Sequence, residues 1–80
     1  MSTETWAAEL RKLANDTPDI VTILSTMSAR HEDFRNRTMV SAMAAREGLG
    51  ISVRQVNALI GWLKDEVGDE ALRREIPIVV

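Results

Sequence analysis

Few residues in this chain could do bond-making chemistry, and their spacing argues against it. The single histidine, His31, lies in Arg30-His31-Glu32-Asp33. Consecutive helical positions point in different directions, so His31, Glu32 and Asp33 cannot converge on one metal ion. The stretch reads as a solvated polar surface. There is no cysteine, which excludes disulfides, thiolate catalysis and cysteine-ligated zinc. No glycine-rich phosphate loop, HExxH spacing or serine-nucleophile elbow occurs, and Gly48-Leu49-Gly50 is too short to cradle a phosphate. The sequence therefore predicts no enzyme, no metal site and no cofactor. What remains is the chemistry of charge and hydrogen bonding, carried by ten Lys and Arg and twelve Asp and Glu.

Those side chains must be positioned by helices. Eighty residues, 45% of them hydrophobic, make one modest globular domain spanning 1–80. Trp6, Leu10 and Leu13 share one face of a helix over about residues 4–15, with Ser2 or Thr5 as its cap. Thr17-Pro18-Asp19 then supplies a capping hydroxyl, a proline at the first helical position and an acid in the first turn. Ile20, Ile23, Leu24 and Met27 form the buried stripe of this second helix. A third helix starts between Asp33 and Thr38 and runs to Glu47. Its Ser41, Ala42, Ala44 and Ala45 suit close approach by another helix, and Gly48 stands where a left-handed cap belongs.

The fourth helix has the strongest local signals. Ser52 and Gln55 form a capping box, flanked by Ile51 and Val56 as a hydrophobic staple. Val56, Leu59, Ile60, Leu63 and Val67 keep one buried stripe, while Arg54, Asn57, Ala58, Gly61 and Lys64 face outward. Gly68 stops the helix. Asp69 caps a short fifth helix to Glu75, with Asp69–Arg73 and Glu70–Arg74 pairs. The fold class predicted is all-α, a bundle of four or five helices.

From Gly50 to Ile60 the chain resembles the turn and recognition helix of helix-turn-helix DNA-binding proteins. That family carries a turn glycine, an aliphatic residue and a capping serine, matched by Gly50, Ile51 and Ser52. Val56 and Leu59 fall where it buries aliphatics against the preceding helix. Arg46 stands four residues before the turn glycine, where the family prefers a small residue. A winged-helix arrangement fits similarly, with 38–47 and 52–60 as its helices and Gly61 as the next turn. The resemblance implies a transcriptional regulator whose Ser52, Val53, Arg54, Asn57, Ala58 and Gly61 face the major groove of double-stranded DNA, and the few phosphate contacts open to one domain call for a homodimer. Arginine and asparagine can bind guanine and adenine edges bidentately. Arg35, Arg37, Arg46 and Lys64 would then position phosphates.

The formal net charge of −2 weighs against nucleic acid until it is divided along the chain. Residues 26–64 hold Arg30, Arg35, Arg37, Arg46, Arg54 and Lys64 against only Glu32, Asp33 and Glu47, whereas both ends are acidic. The basic excess lies over the motif, although Asp33 and Arg37 can also pair locally. A second reading uses other residues. Trp62, beside Gly61, could anchor an interface, and the apolar tail with Ile78, Val79 and Val80 could dock. On that reading the chain is a small helical inhibitor, anti-activator or adaptor that occludes a protein partner. Neither a membrane-spanning stretch nor a signal peptide is present, so the expected location is cytoplasmic.

Overall fold

The helix ends decide how the helices meet. A computed structural model describes residues 3–78. Within them run α1 (Thr3–Asp16), α2 (Ile20–Arg30), α3 (Thr38–Leu49), α4 (Val53–Leu63) and α5 (Asp69–Glu75), with no strand among the described residues. The all-α expectation holds in its five-helix form. Ser2, one of the two caps suggested for α1, lies outside the described residues, as do Val79 and Val80.

Between α1 and α2 the cap is Asp19, not Thr17. The Thr17 amide donates to the Leu13 carbonyl at 2.8 Å, so Thr17 continues the hydrogen bonding of α1. Asp19 is extended, and its carboxylate accepts from the Thr22 amide at 3.0 Å and the Thr22 hydroxyl at 2.7 Å. Pro18 therefore precedes the cap instead of opening the helix. The predicted stripe of Ile20, Ile23, Leu24 and Met27 is fully buried. Helix α2 stops at Arg30, where the His31 amide closes the last turn on Met27. The polar connection that follows buries Phe34, whose carbonyl accepts a hydrogen bond from the Ser41 hydroxyl of α3.

The most extensive helix contact joins α1 and α3. Ser41, Ala44, Ala45 and Gly48 are all buried, as the run of small residues predicts. Gly48 does a different job from the expected one. A Cβ built there would lie 2.4 Å from the Ala7 carbonyl oxygen, so glycine is required by close backbone approach. The left-handed terminator is Gly50, at φ 65°.

Helix α4 ends before Gly68. The Asp65 amide donates to the Trp62 carbonyl at 3.1 Å and the Glu66 amide to Gly61 at 2.8 Å, the paired bonds of a Schellman motif. Asp65 takes its left-handed position, at φ 62°. Gly68 is instead the N-cap of α5, and Asp69 is its first helical residue. The predicted i,i+4 pairs are replaced, because Arg73 binds Asp19 at 3.0 Å and Glu70 at 3.0 Å.

Helix α1 touches α2 and α3, α3 touches α4, α4 touches α5, and α5 returns to α2. This closed circuit surrounds Leu10, Leu24, Met27, Leu59 and Leu72, which have no exposed surface. Arg73–Asp19 fastens its last link. The Asp19 carboxyl is held at about 2, below its ordinary 3.8. Hydrogen bonds from Arg73 and then Thr22 lower it, and desolvation only partly opposes them. The apolar tail folds back on the bundle through buried Ile76 and half-buried Ile78.

Candidate nucleic-acid interface

The α3–α4 junction is built from the residues that suggested it. The Gly50 amide donates to the Arg46 carbonyl at 3.0 Å, and the chain then reverses through buried Ile51. At the start of α4 the capping box forms in both directions. The Ser52 hydroxyl accepts from the Gln55 amide at 3.2 Å, and the Gln55 side chain accepts from the Ser52 amide at 2.9 Å. The Gln55 side-chain nitrogen Nε2 also donates to the Glu75 carbonyl at 2.9 Å. This bond satisfies one of the terminal carbonyls of α5 and ties the first turn of α4 to the far end of the chain. Leu59 is fully buried and Val56 half-buried, so the register of α4 is the one its apolar spacing predicts.

That register leaves Ser52, Val53, Arg54, Asn57 and Lys64 exposed, and Ala58 and Gly61 half-buried. The Ser52 hydroxyl is already committed to capping. Gly61 is occupied from within: a Cβ there would lie 2.6 Å from a Val67 methyl carbon. It serves the fold-back after α4 and leaves no room for close approach to DNA. It also lies inside α4, so the winged-helix turn expected at Gly61 does not form. Arg54 is 3.7 Å from the Glu75 carboxylate, too far for a hydrogen bond.

The four residues expected on phosphates separate into two pairs. Arg35 binds Asp65 at 3.0 Å and lies 4.5 Å above the Trp62 ring. Arg37 binds Asp33 at 3.0 Å, the local pair foreseen in the sequence. Both are spent on the fold. Arg46 and Lys64 are exposed, and among the described residues neither enters an ion pair. Lys64 lines an open groove of about 440 Å³ with Arg37, Thr38, Met39 and Val40. The end of α4 thus lies beside the start of α3. Trp62 is no surface anchor. It is 6% exposed, and its indole N–H donates to Asp69 at 2.7 Å.

His31 is not part of a solvated surface. Its Nε2 meets the Glu9 carboxylate at 2.9 Å, and its ring lies 5.5 Å from that of Trp6. Desolvation pushes the Glu9 carboxyl up, but hydrogen bonds and charge from His31 and Arg30 outweigh it and leave the group below its ordinary range. The cluster clamps the end of α2 onto α1. Spacing could not reveal it, because the partners are 22 residues apart. Among the described residues, no three His, Asp or Glu gather in a group able to hold a metal ion.

Among the described residues, three large apolar side chains are exposed, and Val53 is one of them, as its expected groove-facing position requires. Met39 is 66% exposed, Met43 58% and Val53 58%. Comparison with protein families, curated proteins and solved structures gives no match to this chain. Among the described residues, no helix is long and apolar enough to cross a membrane.

Proposed function

We propose that the chain binds double-stranded DNA through α3, the Gly50 turn and α4, and that it acts as a dimeric transcriptional regulator. The observation that carries this reading is the junction itself. A left-handed glycine, a buried aliphatic residue and a reciprocal capping box present Val53, Arg54 and Asn57 together at the exposed start of α4. Arg54 and Asn57 contact base edges, Val53 packs against a thymine methyl, and Arg46 and Lys64 contact phosphates. Arg35, Arg37 and Gly61 have no part in this interface because the fold already uses them. So few free cations make a single copy a weak binder, which is why two copies on adjacent half-sites are required.

A titration with duplex DNA at several salt concentrations tests the proposal. Binding should strengthen as salt is lowered, with a logarithmic slope near −0.9 for each phosphate neutralised. Arg54→Ala with Asn57→Ala should abolish sequence preference. No binding at low salt, or binding indifferent to that double variant, overturns the reading.

A further inference from the structure

The outer side of α3 has properties that DNA contact does not explain. Met39, Met43 and Arg46 recur at helical spacing on the side opposite Ser41, Ala44, Ala45 and Gly48, which are buried. Met39 and Met43 are more than half exposed, although Met27 of α2 is completely buried in the core. Methionine is flexible and polarisable, and it adapts to an apolar partner surface. Phosphate oxygens offer it nothing comparable. A basic group flanks the pair at each end: Lys64 shares the groove with Met39, where Arg37 is already paired with Asp33, and Arg46 stands one turn beyond Met43.

We infer that this methionine strip docks an acidic amphipathic helix from a protein partner. The helix would set its apolar anchors on Met39 and Met43, with Asp or Glu flanking them toward Arg46 and Lys64. Charge selects this occupant. A second copy joined two-fold through the same strip would bring like basic flanks together, an arrangement that costs affinity. An anionic membrane suits the strip poorly, because recognition there takes roughly four to eight clustered cations. Among the described residues, this side has two cations outside any ion pair, Arg46 and Lys64, and an exposed acid, Glu47. The inference reaches beyond the DNA reading and stands without it. Where both hold, the acidic helix and DNA compete for Arg46 and Lys64, so the partner is an antagonist of DNA binding.

A synthetic amphipathic peptide with leucine anchors and glutamate flanks, fluorescently labelled, provides the probe. Anisotropy should show saturable binding that weakens with salt. The double variant Met39→Ser, Met43→Ser should reduce affinity by roughly tenfold or more while its circular dichroism stays unchanged. A lysine-flanked peptide with the same anchors should not bind. Absence of binding, equal binding of the lysine peptide, or an unaffected double variant overturns the inference. So does co-sedimentation with phosphatidylglycerol vesicles in place of peptide binding. DNA titration of the unaltered chain separates the two readings: DNA binding without peptide binding removes only this inference, and peptide binding without DNA binding removes only the DNA reading.

Discussion

The side of α3 turned toward α1 carries Ser41, Ala44, Ala45 and Gly48, all buried, whereas its opposite side carries Met39, Met43 and Arg46, all exposed. Within one helix, therefore, the small residues are inside and both methionines are outside. Backbone distance explains the inversion. Helices α1 and α3 approach so closely that even one added methyl at residue 48 would collide with a carbonyl oxygen. A methionine on that side has nowhere to go. Hydrophobicity alone does not decide which side of a helix is buried when its partner demands this separation.

Breaking the inner side should have the largest effect. Gly48→Ala should destabilise the fold by about 3 kcal/mol, the upper end of ordinary overpacking, because the obstacle is backbone and cannot rotate away. Denaturant unfolding measures it, and a loss under about 1 kcal/mol would show that the helices separate easily. Ser41→Ala comes next, at about 2 kcal/mol, since it strands the buried Phe34 carbonyl without its donor. The same unfolding assay reads it, and a neutral result would mean that the carbonyl has another partner.

Acid sharpens the contrast by acting on neither side of α3. The depressed carboxyl of Asp19 contributes stability that is complete above about 3.8 and is lost as pH falls toward about 2. Asp19→Asn should flatten that part of the pH–stability curve. An unchanged acid limb would show that another carboxylate controls it. The smallest effect belongs to the outer side: Met39→Ser and Met43→Ser should each leave stability within about 0.5 kcal/mol. A larger loss by thermal unfolding would mean that the methionines are packed after all.

Legibility in the sequence follows the range of the interaction. The five helices, the stripe of α2 and the Ser52–Gln55 box depend on neighbours within one or two turns, and spacing reveals them. The two left-handed turns show where this stops. At Gly50 the residue type advertises the conformation, although Gly48 is an equally plausible terminator until its contact with Ala7 is known. At Asp65 nothing local gives it away, because the Arg35 ion pair that engages its side chain comes from 30 residues earlier. The candidate interface divides in the same manner. Val53, Arg54 and Asn57 are placed by the register of α4, but Arg35 and Trp62 look available only until their distant partners are seen.

The two indoles also give the molecule a pair of built-in optical probes. Trp6 packs on His31 and Phe34 where α1 meets the end of α2, and Trp62 lies under Arg35 and bonds to Asp69 where α4 meets α5. No tyrosine adds a competing signal. Replacing either tryptophan with phenylalanine leaves a single emitter at one junction. Coincident emission transitions in the two variants would mean that the bundle opens as one cooperative unit. Separate transitions would reveal which junction yields first.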